Sequence, residues 1–424
     1  MPSMVRLGTW LASFVLPDGL LILAAVGFLR PGGLPAVMLP LEQAFAYLVL
    51  AAGIVLGVSV RHTRILFAML LLALADRGLL HLAAGAAASE DVGRIMFNAV
   101  SLLLPLNLLA LSLITERSRL ISREVMRLIL VFLQVFLVSW IGLPENVDVA
   151  AALESSFIAP QYTAWTPVAQ APLLAFGAAL ALQAARFVSY RNPVDKGFFW
   201  ALGSAFLALH GTRAGWSPTN FLATAGLILI IAAYAEIYQS TYYDELTGMR
   251  GRPYWDQAVA NLGSRYALAV IDIDSMKRLN ETQGYAVGDQ ILRIVARKIA
   301  RLTGDGNAFR YDGNRFAVIF HDKSVVDVLP HLEELRKAFD ASPVTLPARR
   351  RLFRKPEPPT QVPVTVSIGA AERDERRATP DQVMKAVETA LARAKHDGRN
   401  QVKAQTPVKE HAKREGQHTP GEGY

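Results

Sequence analysis

The chain has no cysteine among its 424 residues. That excludes disulfides, thiolate-held metal and cysteine nucleophiles, and it says nothing about compartment. Charge is also scarce: Asp, Glu, Lys and Arg make up 19% of the chain, and most of them lie beyond residue 240. Residues 1–240 instead carry long apolar blocks. The shift in composition is read as a boundary between a membrane half and a soluble half. No cleavable leader is expected, because the first apolar block is followed by many more. The formal net charge is +8. Much of that excess sits in short loops between apolar blocks or in two basic clusters, 349–355 and 408–414, so no nucleic-acid partner is expected.

Eight apolar segments can be marked, at about 7–29, 41–60, 65–86, 96–115, 126–143, 167–186, 197–212 and 218–238. Each is near the ~20 residues that a helix needs to cross ~30 Å of hydrocarbon. With a cytoplasmic N-terminus, the inside loops hold ten Arg and Lys residues, and the outside loops only Arg30, Arg94 and Arg213. This bias predicts a polytopic α-helical domain over 1–240 in a bacterial inner membrane, with both termini cytoplasmic. Asp18, Asp76 and Arg77 interrupt the blocks and are expected at an interface or paired with neighbouring helices. Pro105, Pro172 and Pro193 read as kinks or helix ends. The loop 144–166, with Tyr162 and Trp165, reads as a small lid or an interfacial segment. The last block runs without Pro from Phe221 to Asp244, so one helix is expected to lead into the soluble half.

Beyond residue 240 the pattern mixes strands and helices. Tyr266–Ile273 is a continuous apolar run of strand length, and Gly288–Leu302 repeats Ile291, Leu292, Val295, Ile299 and Leu302 on one helical face. A hairpin is predicted over 308–320, with Asp312-Gly313-Asn314-Arg315 at its tip. Further elements are expected as the end of a helix at 255–262, helices near 326–339 and 380–395, and a strand over 362–371. Together they predict an α+β sandwich with helices covering an antiparallel-rich sheet. The basic insertion 347–359 reads as a solvated loop, with contact to anionic headgroups as the alternative. Residues 405–424 are expected to be disordered.

Seven ordered segments carry a resemblance: Asp244-Glu-Leu-Thr-Gly248, Ile271-Asp-Ile-Asp-Ser-Met-Lys-Arg-Leu-Asn280, Gly284-Tyr-Ala-Val-Gly-Asp289, Arg310-Tyr311, Phe316-Ala-Val-Ile319, Val364-Thr-Val-Ser-Ile-Gly369 and Ala394-Lys-His-Asp-Gly-Arg-Asn400. Over about 241–404 the chain resembles the GGDEF domain, a palm-like nucleotidyl-cyclase fold whose active members join two GTP into cyclic di-GMP. The resemblance implies Mg²⁺ at the Asp272 carboxylate and the Ile273 backbone carbonyl, oxygen donors that suit a hard cation. It implies a phosphate contact for Lys277, guanine-reading roles for Asn280 and Asp289, and triphosphate contacts for Lys395 and Arg399. Asp274 is expected to be structural.

The tip departs from the family's Gly-Gly-Asp/Glu-Glu-Phe. Asp312 replaces the first Gly and adds bulk and charge. Asn314 offers a neutral oxygen where the family has a second metal carboxylate, and Arg315 reverses the charge of a Glu. Two-metal phosphoryl transfer needs those ions to clamp the attacking and leaving oxygens. Unit charges ~4 Å apart interact by roughly 4 kcal/mol at an effective dielectric of 20, so the exchange is expected to cost orders of magnitude in rate. The product-inhibition motif is out of register, with Thr303 and Gly306 at its key positions and Arg301 and Asp305 wrongly spaced.

Three readings follow. The first is a membrane signalling protein with a degenerate GGDEF domain that binds GTP or a protein partner, such as another GGDEF domain. The second is a true cyclase, a homodimer, in which Asp312 or a partner subunit supplies the missing carboxylate. The third is a membrane scaffold of a secretion or polysaccharide system.

Overall fold

The computed structural model describes residues 13–28, 39–60, 62–84, 90–114, 156–341, 343–346 and 360–405, with the isolated positions 37, 136 and 140. It divides into two compact units, Met1–Ile237 and Tyr238–Tyr424.

The first unit is helical. Its described elements are α1 (Asp18–Phe28), α2 (Leu39–Ser59), α3 (Thr63–Ala84), α4 (Glu90–Leu113), α5 (Gln170–Tyr190), α6 (Pro193–His210) and α7 (Pro218–Tyr242), the last continuing past the division. They overlap seven of the eight apolar segments; the fifth, 126–143, lies almost wholly outside the described residues. Among the described residues only α5 and α7, of 21 and 25 residues, are both long and apolar enough to cross a membrane. The expected count of eight spans is therefore not supported. Asp76, Arg77 and His81 lower the apolarity of α3, Glu90, Asp91 and Arg94 that of α4, and Asp195 and Lys196 fall in the shorter α6. Of the prolines, Pro105 lies inside α4, while Pro172 and Pro193 lie in the first turns of α5 and α6.

The interrupting charges are paired. Asp18, 1% exposed, meets Lys196 Nζ at 3.1 Å. Asp76 accepts from Arg77 Nη2 at 2.7 Å and from the Thr219 hydroxyl of α7, while Arg77 also donates to Tyr47 of α2. A buried carboxylate is tolerated when its partners satisfy it, and these contacts join three helices. Near the end of the unit, Glu236 accepts from Arg64 at 3.0 Å and from Asn192 at 3.2 Å. Of the loop 144–166 only 156–166 is described, and there Gln170 bonds the backbone of Phe157 and Ile158.

The second unit contains α8 (Arg252–Ala260), β1 (Tyr266–Ile273), α9 (Met276–Gln283), α10 (Tyr285–Ile299), β2 (Asn307–Asp312), β3 (Arg315–His321), α11 (Val325–Asp340), β4 (Val344–Leu346), β5 (Thr360–Val362), β6 (Val366–Glu372), α12 (Pro380–His396) and β7 (Val402–Gln405). Five strands form one sheet in the order β2-β3-β1-β6-β7, antiparallel except for the β6–β7 pair. All eight residues of β1 are buried, as expected of a central strand covered on both faces. Its side chains alternate. Ala267, Ala269, Ile271 and Ile273 join Ile291, Val295, Phe320, Leu332 and Phe339 in one core layer. Leu268 and Val270 join Trp255, Phe309, Val387 and Leu391 in the other. Helices α10 and α11 thus cover one face, and α8 and α12 the other. This is the α+β sandwich anticipated from the pattern.

Three local readings need correction. The predicted strand over 362–371 divides into β5, which pairs with β4 in a separate ribbon, and β6, which lies in the main sheet. Helix α9 follows β1 after only two residues, too short an amphipathic stretch to stand out by period. Residues 402–405 extend the sheet, because Val402 and Ala404 pack on its core; residues 406–424 and the insertion 347–359 lie outside the described residues.

Candidate nucleotide site

The site is built at the end of β1, where the hairpin β2–β3 and the last turn of α12 converge. Gly313, at φ +30°, makes the tight turn, and its carbonyl accepts from Arg310 Nη2 at 2.9 Å. Arg310 also pairs with Asp244, just beyond α7. Burial alone would raise the Asp244 carboxyl, but hydrogen bonds from Thr247 and Arg310 outweigh it and hold the group below its ordinary value. A depressed folded-state pKa gives stabilisation that is complete above the unfolded value and is lost as pH falls through the folded one. Asp244→Asn is therefore expected to flatten the acid side of the unit's stability curve below about pH 4. Thermal melting at stepped pH checks this; an unchanged acid slope contradicts it.

Asp272 lies directly opposite Arg315 across the β1–β3 pair. Its carboxylate is 2% exposed and is surrounded by donors. Oδ1 accepts from the Asn314 amide nitrogen at 2.9 Å, and Oδ2 accepts from Arg315 Nε at 3.2 Å and from Lys395 Nζ at 2.6 Å. The same Asn314 amide donates to the Ile273 carbonyl at 3.3 Å. Both oxygen donors expected to bind Mg²⁺ therefore already face N–H groups. Among the described residues no group of three or more His, Asp or Glu side chains is placed to hold a metal. Placing a divalent ion at Asp272 brings it against an ammonium and a guanidinium, at roughly 4 kcal/mol per pair of unit charges near 4 Å before solvent screening. This donor set does not fit a pair of divalent cations.

Asp274 accepts from Thr365 Oγ1, Ser367 Oγ and the Asn400 backbone N–H at 2.7–3.1 Å. It ties the loop after α12 to the end of β1 and is structural, as expected. Lys277 stands exposed on the first turn of α9, and Arg399 stands exposed after α12 in a left-handed conformation at φ 64°. Asn280 of α9 lies against Gly288 of α10, where an added Cβ would lie 1.9 Å from Asn280 Oδ1, and Asp289, the next residue, is exposed. That oxygen is buried, with no hydrogen-bond partner among the described residues. The structure thus brings Asn314, Arg315 and Lys395 onto Asp272, and Asn280 against Gly288. It leaves Lys277, Arg399 and Asp312 exposed.

Sequence reasoning missed two features. One is the contact of Lys395 with Asp272, which follows from Asp272 facing the α12 side of the sheet, a parity readable from β1. The other is the double donation by Asn314, which no residue pattern announces.

The profile of the family described as "Diguanylate cyclase, GGDEF domain" matches residues 241–401. Among curated relatives, the chain is similar to the response regulator PleD of Caulobacter vibrioides, at 31% identity over 167 residues, or 38% of this chain and 35% of that one. It is also similar to the diguanylate cyclase VdcA of Vibrio cholerae, at 30% identity over 194 residues, 43% of this chain and 55% of that one. The chain thus spans about a third to a half of the length of these relatives. Among solved structures, the coiled coil and GGDEF domain of DgcB from Caulobacter crescentus, in complex with c-di-GMP, shares 31% identity over 43% of this chain and 95% of that one, with a TM-score of 0.37. Residues 241–401 of this chain thus match a GGDEF domain.

Proposed function

We propose that this protein is a polytopic inner-membrane signalling protein of the cyclic-di-GMP type, whose GGDEF domain binds GTP but does not cyclise it. The single observation that carries this reading is the Asp272 carboxylate held by Asn314, Arg315 and Lys395. A carboxylate neutralised in this way offers no seat for the paired ions that phosphoryl transfer uses. Nucleotide recognition, in contrast, keeps its parts. The buried, unpartnered Asn280 Oδ1 suits an N–H donor of guanine, and Asp289, which follows Gly288 on α10, is the expected acceptor of a second. Lys277, Arg399 and Lys395 supply cations for the phosphates. Output then passes by protein contact, through pairing with a GGDEF domain of another protein or with a downstream partner. In the membrane half, the paired charges of Asp18, Asp76 and Glu236 fit helices packed in lipid.

The test is calorimetric titration of the purified full chain with GTP, which is expected to bind without turnover. Gly288→Ala is expected to push Asn280 out of position and to weaken GTP binding at least about tenfold. The helix tolerates Ala in place of Gly, so melting is expected to be little changed. No GTP binding by the unaltered chain contradicts the reading and favours a scaffold role.

The cyclase reading is favoured by one observation, the exposed Asp312 at the tip, together with the diguanylate cyclases among the relatives. It predicts a homodimer in which Asp312 turns inward to share a metal with Asp272, and Asp312→Asn then abolishes product.

A further inference from the structure

We infer that the Asp272 site takes the phosphates of a nucleoside triphosphate without a divalent cation, the guanidinium of Arg315 and the ammonium of Lys395 supplying the positive charge that metal would bring. The inference rests on the proposed GTP binding and concerns how the phosphates are held. One carboxylate faces two fixed cations here, so this corner of the pocket carries a net charge of one positive before any ion arrives. Asp272 is then a positioning residue. It orients both cations through its Oδ2, while its Oδ1 is occupied by the Asn314 amide.

Both cations keep donors to spare. Arg315 spends only Nε on Asp272, and among the described residues neither of its Nη groups makes a hydrogen bond. Its side chain is 39% exposed, so these groups are open to an incoming anion. A guanidinium fork with free Nη donors matches two phosphate oxygens, geometry that an ammonium alone does not offer. Lys395 spends one of three donors on Asp272. The backbone adds no competing acceptor, since the Ile273 carbonyl faces Asn314. A hydrated divalent cation meets two positive groups at this point, whereas a phosphate meets their unused N–H bonds.

The full chain is titrated with GTP twice, once in excess EDTA and once in excess Mg²⁺. The expected result is a pair of Kd values within about threefold of each other. Binding at least about tenfold weaker in EDTA overturns the inference and leaves the proposed GTP binding standing. Absence of binding in both titrations overturns both. Asn314→Asp with Arg315→Glu is expected to turn binding Mg²⁺-dependent, by at least about tenfold between the two conditions. Mn²⁺ titration of the unaltered chain, followed by the resonance of the free ion, is independent of that variant's folding. No stoichiometric Mn²⁺ site is expected, and a site that Asp272→Asn removes overturns the inference.

Discussion

Converting the tip by Asp312→Gly, Asn314→Asp and Arg315→Glu is expected to raise formation of the cyclic dinucleotide from Mg²⁺ and GTP at least about 10³-fold above the unaltered chain. The argument is electrostatic. Arg315 stands opposite Asp272 in the register and places a guanidinium 3.2 Å from its carboxylate. Arg315→Glu removes that cation and adds an anion, and Asn314→Asp supplies a second carboxylate near Asp272 and the Ile273 carbonyl. Each unit of charge recovered beside a divalent ion is worth several kcal/mol, and roughly 1.4 kcal/mol is tenfold in rate. Asp312→Gly removes a side chain from the approach to the nucleotide. The same variant carries a cost without metal, because like charges directly opposite in a sheet repel. Its melting temperature is therefore expected to fall in EDTA and to recover with Mg²⁺, unlike that of the unaltered chain. Bound GTP with no product from this variant would place the fault elsewhere in the pocket.

Gly369→Ala is expected to destabilise the GGDEF domain by about 3 kcal/mol, the upper end of ordinary overpacking. Gly369 lies on β6 beneath α12, and an added Cβ would sit 2.3 Å from the Val387 carbonyl oxygen and 2.4 Å from the Leu391 nitrogen. Both are backbone atoms, so no side-chain rotation relieves the clash and the helix must move away from the sheet. For a domain of this size the melting temperature should drop by roughly 6–12 °C, read by thermal denaturation. Helix α12 also delivers Lys395 to Asp272, so GTP binding should weaken at temperatures where the domain remains folded. A change below about 1 kcal/mol would mean that α12 shifts freely on the sheet, which its dense packing argues against.

The parts of this fold governed by short-range periodicity were readable in the chain. The apolar run Tyr266–Ile271 of β1 announces a strand buried on both faces, and the 3.6-residue spacing of Ile291, Val295 and Ile299 announces α10. The hairpin follows from the turn at Asp312–Arg315. Elements that depend on partners were not readable. β7 is four residues long, and only its pairing with β6 makes it a strand. β4 and β5 are three residues each, and the gap of 13 residues between them hides their pairing. In the helical unit, apolar runs located the described helices well, but they did not show that charges such as Asp76 and Asp195 are paired within the unit.

At the site, residue types and order gave the expected nucleotide contacts and the expected loss of a carboxylate. Which group fills the vacated role is a matter of three-dimensional reach. Lys395, read as a phosphate contact, reaches Asp272 because even-numbered β1 residues face α12. Asn314, read only as a lost charge, turns its amide nitrogen towards two acceptors. Its oxygen would have met a carboxylate and a carbonyl there, and two acceptors facing each other are unfavourable when buried.

The most direct trial of the central claim is product analysis of the unaltered full chain incubated with Mg²⁺ and GTP. With Asp272 held by the chain's own cations, no cyclic dinucleotide is expected above the level given by Asp272→Asn. Sustained synthesis that Asp272→Asn abolishes would contradict the account.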